Sequence, residues 1–135
     1  MSLFHTNRDI GKLGERLAAR YLRRHGYRIL ARNLHLGRNE LDLIARNRRY
    51  LAFVEVKTRS FASPEDALDR RPGAAVDPEK RRRTIQAAHV YLRGHNGKQC
   101  PRFDVIEVYL SRDKRPKAFR IHHIEGAFDA KGNVR

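Results

Sequence analysis

Apolar side chains recur at intervals of three and four near the start of the chain, which predicts an amphipathic helix. The apolar positions are Ile10, Leu13, Leu17, Ala18, Tyr21 and Leu22. Thr6 or Asn7 can cap the start of this helix, and the pair His25-Gly26 can end it. Gly11 and Gly14 lie in its first turns, where glycine lowers helix stability, so we expect another stretch of backbone to pass close to them.

Alternation of apolar and polar residues then predicts three β-strands. The predicted strands run from Tyr27 to Arg32, from Glu40 to Arg46 and from Leu51 to Lys57. The last two flank the polar segment Asn47 to Tyr50, which predicts a hairpin turn. Residues Thr58 to Asp77 read as a long, mobile loop, in which Pro64 to Leu68 could form a short helical turn.

A second helix is predicted to start at Asp77-Pro78-Glu79, where a capping acid precedes proline and another acid. Its apolar positions are Ile85, Ala88 and Leu92. The helix stops near Gly94, and two further strands are predicted, Phe103 to Leu110 and Ala118 to Ile124. With a frayed tail from Asp129 to Arg135, residues 1–135 are predicted to form one α/β domain in which helices flank a mixed sheet.

The predicted hairpin gathers polar residues at its open end. If Arg46 pairs with Leu51, then Asp42 lies opposite Glu55 and Glu40 lies opposite Lys57. Because alternate residues share a face, one face of the hairpin is apolar throughout. Its residues are Leu41, Leu43, Ala45, Ala52, Val54 and Val56. The other face begins with Ile44 and Phe53 near the turn and continues into the acids and the lysine.

Two carboxylates placed directly opposite each other repel, because their Cβ atoms are about 4.5–5.5 Å apart. A divalent cation such as Mg²⁺ would remove this cost, since it binds carboxylate oxygens and leaves positions for phosphate. The residues alone leave a second interpretation open. Glu40 and Lys57 would form a cross-strand ion pair, and an arginine would neutralise Asp42.

The chain carries 30 Lys and Arg against 15 Asp and Glu, a formal charge of +15, and 23 of the basic residues are arginines. Such a charge attracts polyanions and excludes a cationic or purely apolar surface as the main partner, so nucleic acid is the expected partner. A solvated arginine-rich surface is the alternative. Candidate phosphate contacts are Lys80, Arg81, Arg82, Arg83, Arg48, Arg49 and Arg59. Because Cys100 is the single cysteine and no membrane span is visible, a cytoplasmic protein is expected.

Asp42, followed thirteen residues later by Glu55-Val56-Lys57, resembles the motif of the PD-(D/E)xK nuclease superfamily. The whole chain resembles more closely the YraN-like family of small endonuclease-like proteins, which are themselves similar to Holliday-junction resolvases. The matching stretches are 11–15, 18, 21–22, 26–27, 33, 40–44, 53–59, 75–78, 80, 88, 91–92 and 102–105. Two positions depart from the family pattern, Asn39 in place of glycine and Phe61-Ala62 in place of a Phe-Gly pair.

This resemblance implies a restriction-endonuclease-like αβββαβ core and a metal-dependent nuclease that cleaves DNA, including branched or flapped structures. Asp42 and Glu55, with the backbone carbonyl of Val56, would bind Mg²⁺ or Mn²⁺. Lys57 would orient water and stabilise charge on the phosphate, and Glu15 would be an accessory acid. A homodimer is expected by analogy with junction resolvases. The alternatives are a nucleic-acid-binding module that keeps the fold without catalysis, and a module that binds an acidic protein.

Overall fold

The computed structural model describes residues 6–68, 76–95 and 97–134. Its helices are α1 (Asn7–Arg24) and α2 (Pro78–Arg93), and a short 3₁₀ helix covers Pro64–Ala67. Its strands are β1 (Arg28–Leu36), β2 (Asn39–Arg46), β3 (Tyr50–Phe61), β4 (Cys100–Ser111) and β5 (Ala118–Phe128). The predicted αβββαβ order is confirmed, and β5 extends it.

All five strands form one sheet in the order β1-β2-β3-β4-β5. Neighbouring strands are antiparallel except β3 and β4, which are parallel and are joined through α2. A crossover helix is the usual way to connect parallel neighbours. The sheet is therefore mixed, as the restriction-endonuclease-like fold requires, and α2 packs chiefly over β2, beside the strand that carries Glu55 and Lys57.

Helices cover both faces of the sheet, so the core has two halves. On one face, α1 buries its small and apolar residues against β2, β3 and β4. This half contains Ala18, Ala19, Leu22, Leu43, Ala45, Ala52, Val54, Ile106, Val108 and Leu110. On the other face, α2 buries Ala87 and Ala88 against a more aromatic set of sheet residues. These are Leu41, Ile44, Leu51, Phe53, Phe103, Val105 and Phe128. In the described part of the chain, neither helix combines the length and apolarity needed to cross a membrane.

Local capping fixes the first turn of each helix where the sequence predicts it. In α1 the Thr6 side chain accepts a hydrogen bond from Asp9 N at 3.1 Å, and the Asp9 carboxylate accepts one from Thr6 N at 3.3 Å. In α2 the Asp77 carboxylate accepts from Glu79 N at 3.0 Å, and Pro78 occupies the first helical position. These caps satisfy N–H groups that have no partner inside the helix.

Two segments are more ordered than the sequence predicts. Strand β3 continues to Phe61, four residues into the predicted loop, because Thr58–Phe61 pair in parallel with β4. The predicted helical turn is present at Pro64–Ala67, and residues 69–75 of the loop lie outside the described ranges. At the other end Asp129 N donates to Asn133 O, and Phe128 bridges to Val134, where a frayed tail is predicted.

A buried carboxylate, Asp104 of β4, ties β4 to β5 on the α1 side. Its oxygens accept hydrogen bonds from Arg102 at 2.8 Å, from His123 Nε2 at 2.7 Å and from Gly126 N at 3.0 Å. Arg102 also donates to the Tyr27 hydroxyl. Asp104 is fully buried, and these donors hold the pKa of its carboxyl below the ordinary value against the opposing effect of burial.

Helix α1 approaches β3 most closely at Gly14. A Cβ built on Gly14 would lie 1.9 Å from Thr58 Oγ1, whereas one built on Gly11 would meet nothing within 4 Å. The expected close neighbour therefore exists at Gly14, where it is a side chain rather than backbone, and is absent at Gly11.

We predict that Gly14→Ala lowers the free energy of unfolding by about 1–3 kcal/mol, because the new methyl group has to displace Thr58. Gly11→Ala is the matched control and should raise stability by up to about 1 kcal/mol through helix propensity alone. Urea unfolding followed by circular dichroism measures both. Equal effects of the two substitutions would contradict the tight contact between α1 and β3.

We also predict that Asp104→Asn destabilises the fold by about 3 kcal/mol, because it leaves the largely buried Arg102 with only the exposed Glu125 as a counter-charge. The effect has a defined pH dependence. Since the pKa of Asp104 is lowered in the folded state, its contribution is complete above the unfolded value and is lost as pH falls through the folded value. The stability difference between wild type and variant should therefore shrink below about pH 4. A constant difference from pH 7 to pH 2.5 would show that the charge of Asp104 is not responsible.

Candidate functional site

The two candidate metal ligands lie where β2 and β3 separate. The strands pair from Leu43↔Val54 to Arg46↔Leu51, which confirms the predicted register over these four pairs. Beyond Leu43 the ladder ends, so the predicted pairs Asp42–Glu55 and Glu40–Lys57 are not part of it. Instead, the Asp42 carboxylate crosses to β3 and accepts a hydrogen bond from Val56 N at 3.0 Å.

Alternation also breaks at this point, and the predicted apolar face is wrong at Leu41. Leu41 packs with Ile44 and Phe53 on the α2 side, while Leu43 packs on the α1 side. The prediction assumed that the ladder continued through Asp42, and a strand that has left its ladder is free to turn its side chains. On the neighbouring strand β1, Asn33 has a positive φ of 47°, so the backbone is irregular there as well.

The separation of the strands leaves a small cavity beneath α2. Asp42, Glu55 and Glu40 line it from the sheet, and Lys80 and Thr84 line it from the helix. About 10 Å³ of it is open to the centre of a water molecule. A cavity of that size holds roughly one water molecule or one ion.

Burial makes both carboxylates costly to ionise. It is the largest influence on Asp42 and raises the pKa of that carboxyl, and Glu40 adds to the effect. Burial likewise raises the pKa of Glu55, and the neighbouring Asp42 raises it further. The Glu55 atom Oε2 is buried and has no hydrogen-bond partner among the described residues. The pair therefore holds negative charge that the protein does not fully compensate.

Two lysines supply the positive charge that acts on the pair. Lys57 follows Glu55 on the same face of β3, and Lys80 reaches the cavity from the first turn of α2. Both lower the pKa values of Asp42 and Glu55, with Lys80 the larger influence on each. Neither forms an ion pair within 4.0 Å of these acids in the described ranges. The alternative of a Glu40–Lys57 ion pair with an arginine on Asp42 is not observed there.

Lys80 is the site residue that the sequence analysis assigned elsewhere, to the exposed phosphate contacts. The sequence feature that could have placed Lys80 at the cavity is the start of helix α2. Asp77 and Pro78 fix the first turn, so Lys80 and Thr84, four residues apart, share the face that meets the cavity. The Thr84 hydroxyl is already used, because it donates to the backbone oxygen of Lys80 at 2.9 Å.

Glu15 lies close enough to the pair to interact with it electrostatically. Its side chain hydrogen-bonds to Asn33, and burial raises the pKa of its carboxyl, with smaller effects in the same direction from Asp42 and Glu40. Among the described residues no three His, Cys, Asp or Glu side chains are grouped closely enough to hold a metal ion. The candidate ligands remain those that the resemblance implies, the carboxylates of Asp42 and Glu55 and the carbonyl of Val56, and Glu15 is not grouped with them.

This donor set fits a hard divalent cation. It consists of oxygen atoms alone, which suit Mg²⁺ and Mn²⁺ rather than Zn²⁺ or copper. The buried Glu55 Oε2 without a partner is the kind of atom that a metal ion would satisfy. The cavity beside it has room for one ion.

The predicted phosphate contacts do not form one patch. Arg59 continues the β3 face beyond Lys57, and its Nε lies 3.9 Å from the buried Glu107 carboxylate. On α2, Arg81 donates to the Val76 carbonyl. Arg82 and Arg83 are more exposed and form ion pairs with Glu79.

Arg48 and Arg49 lie in the turn between β2 and β3, at the opposite end of the strands from the acids. Arg46, the last residue of β2, lies four residues from Asp42, which corresponds to roughly 13 Å of extended strand at about 3.3 Å per residue, and the turn with its two arginines lies beyond it. These two arginines are exposed and could contact only a distant part of a long ligand.

Comparison with known proteins assigns the chain to a family. The family model of the uncharacterised protein family UPF0102 matches residues 14–108, a span that includes Glu15, Asp42, Glu55, Lys57 and Lys80. A UPF0102 protein of Chlorobium phaeobacteroides strain BS1 is 44% identical over 124 residues, which are 89% of this chain and 94% of that protein.

Other relatives match over similar lengths. A UPF0102 protein of Caldanaerobacter subterraneus subsp. tengcongensis is 42% identical over 122 residues, 90% of this chain and 95% of the relative. One from Porphyromonas gingivalis strain W83 is 44% identical over 123 residues, 89% of this chain and 84% of the relative. The chain therefore belongs to the UPF0102 family, the YraN-like family that its motifs resemble.

Proposed function

We propose that this protein is a metal-dependent nuclease that cleaves phosphodiester bonds in DNA. The observation that carries the proposal is the buried Glu55 oxygen without a hydrogen-bond partner among the described residues, beside the Asp42 carboxylate, whose pKa burial also raises. Two desolvated acids held together cost stability, and because neither lysine is within 4.0 Å of them in the described ranges, a bound cation would relieve that cost. Asp42, Glu55 and the carbonyl of Val56 would hold Mg²⁺ or Mn²⁺.

A bound divalent ion would supply Lewis-acid stabilisation of the phosphate and lower the pKa of a coordinated water. The protein supplies the arrangement around it. The Val56 N–H holds the Asp42 carboxylate in place through its 3.0 Å hydrogen bond. Lys57 presents an ammonium group on the same strand face as Glu55, where it can hold the attacking water and offset the charge that develops on the phosphate.

The overall charge supports a polyanionic substrate. A net charge of +15, mostly from arginine, favours phosphate contacts that are independent of sequence. The likeness to junction resolvases favours branched or flapped DNA over RNA, with two copies of the chain on a two-fold junction. We expect the protein to act in a reducing compartment such as the cytoplasm, because its single cysteine, Cys100, is free and exposed.

The proposal predicts Mg²⁺-dependent nicking of flapped, branched or single-stranded DNA by the purified protein. Glu55→Gln should abolish detectable cleavage, because it removes a metal ligand, and Lys57→Met should reduce the rate by roughly a hundredfold. Gel analysis of labelled DNA, with and without chelator, measures this. Glu65→Gln, which removes an exposed carboxylate on the 3₁₀ helix, is the control and should retain full activity.

Equal cleavage by wild type, Glu55→Gln and Lys57→Met would assign the activity to a contaminant. The alternative function, a binding module without catalysis, has its own signature. It predicts that calorimetric titration with Mn²⁺ gives no heat while salt-sensitive DNA binding persists.

A second prediction tests whether the acid pair is kept at a cost in stability. Asp42→Asn and Glu55→Gln should each raise the free energy of unfolding at pH 7 by about 0.5–2 kcal/mol, since ionised acids are disfavoured in the folded protein. Because burial raises both pKa values, the wild type takes up protons as pH falls, and the gain should vanish near pH 4. Urea unfolding in metal-free buffer measures this, and variants less stable than wild type at pH 7 would contradict it.

A further inference from the structure

We infer that Lys80 is a catalytic residue of the proposed nuclease, contributing a second ammonium group that contacts the scissile phosphate opposite Lys57. The inference rests on the proposed function and adds a residue to it. The nuclease motif does not include Lys80, and the sequence predicts for it only a general phosphate contact on the surface. The assignment comes from the cavity that helix and sheet form together.

The geometry places Lys80 on the far wall of the cavity from the metal ligands. Asp42 and Glu55 line it from β2 and β3, and Lys80 lines it from α2. Lys57 belongs to the sheet, as Glu55 does. The cavity has room for one ion only, so a phosphate would bind at its mouth, with Lys80 on the helix side and Lys57 on the sheet side.

Lys80 is held where it is by the construction of the helix. The Asp77 cap and Pro78 fix the first turn, and the Thr84 hydroxyl bonds to the Lys80 backbone oxygen at 2.9 Å. Thr84 is buried, with 5% of its surface exposed, and so anchors this turn against the sheet. The anchored backbone keeps Lys80 at the wall of the cavity that contains the acid pair.

Charge balance argues for a ligand beyond the carboxylates. Among the charged groups, Lys80 has the largest effect on the pKa values of both Asp42 and Glu55. A divalent ion bound between these acids would cancel their charge and leave two lysines around a cation. The anion that restores the balance is a phosphate, whose negative charge grows during cleavage.

The Lys80 ammonium group is also available for such a contact. Its side chain is partly exposed, and within the described ranges it has no carboxylate within 4.0 Å. Arg82 and Arg83 on the same helix turn are, by contrast, engaged with Glu79. Lys80 thus lines the cavity without a carboxylate partner in the described ranges, whereas Arg82 and Arg83 form ion pairs on the surface of the helix.

The test compares Lys80→Met with wild type and with Lys117→Met, which removes an exposed lysine from the turn between β4 and β5. Calorimetric titration with Mn²⁺ alone should show binding to Lys80→Met that is several-fold tighter, because a competing cation is gone. Single-turnover cleavage of flapped DNA at saturating Mn²⁺ should nevertheless be slower by roughly a hundredfold. Lys117→Met should match wild type in both measurements, and Lys80→Arg should recover most of the cleavage rate.

Two results would overturn the inference. Wild-type cleavage by Lys80→Met at saturating Mn²⁺ would make Lys80 a counter-ion of the acids alone. Weaker Mn²⁺ binding by a variant that remains folded in urea titrations would make it a structural support of the site.

Failure of the nuclease proposal itself looks different, because the wild type would then cleave no DNA, with or without heat in the Mn²⁺ titration. In that case affinity for flapped DNA in Ca²⁺ decides whether Lys80 contacts phosphate. A loss for Lys80→Met at least fivefold greater than for Lys117→Met supports the contact, and equal losses refute it.

Discussion

The candidate site depends on the separation of β2 and β3 just beyond the pair Leu43↔Val54. Had the ladder continued, Asp42 and Glu55 would be surface neighbours on a regular hairpin, and Leu41 would face α1. Because it ends, the Asp42 side chain bonds to the backbone of β3, and Leu41 joins the core beneath α2. A cavity forms between them, and α2 closes it. The same break in the sheet thus creates the cavity, buries the acids and brings Lys80 to them.

Strand β3 is held in place by its other neighbours where β2 separates from it. The β3–β4 pairing runs without interruption from Tyr50↔Cys100 to Phe61↔Ser111, so β3 stays fixed while β2 departs from it. On one face of the sheet, α1 also packs tightly on β3, where Gly14 meets Thr58. The strand that carries Glu55 and Lys57 is therefore rigid on both sides, which is what a site that positions reacting groups requires.

Local signals explain which features the sequence could predict. Helix starts depend on caps within four residues, so Thr6 and the Asp77-Pro78 pair located them correctly. The hairpin register follows from a short turn and was predicted over four pairs. The extension of β3 to Phe61 depends on a parallel partner some fifty residues away, which no local pattern reveals. Lys80 reads as one more residue of a basic run until the packing of α2 shows which way it points.

A comparison within the same sheet gives the strongest reason to read the acid pair as functional. Asp104 pairs through the backbone with Val54, next to Glu55, and is fully buried. Its carboxylate nevertheless accepts hydrogen bonds from an arginine, a histidine and a backbone N–H, and these hold its pKa below the ordinary value.

The acid pair on β2 and β3 has the opposite environment. Among the described residues, Asp42 accepts one hydrogen bond, from Val56 N, and Glu55 has a buried oxygen without a hydrogen-bond partner. The pKa values of both carboxyls are raised. The two environments differ although 23 arginines were available to the chain. Among the described residues, the positively charged groups that act on this partly buried acid pair are lysines rather than guanidinium groups. This contrast supports the proposal of an external ligand, because a divalent cation with its phosphate would satisfy both the acids and the lysines.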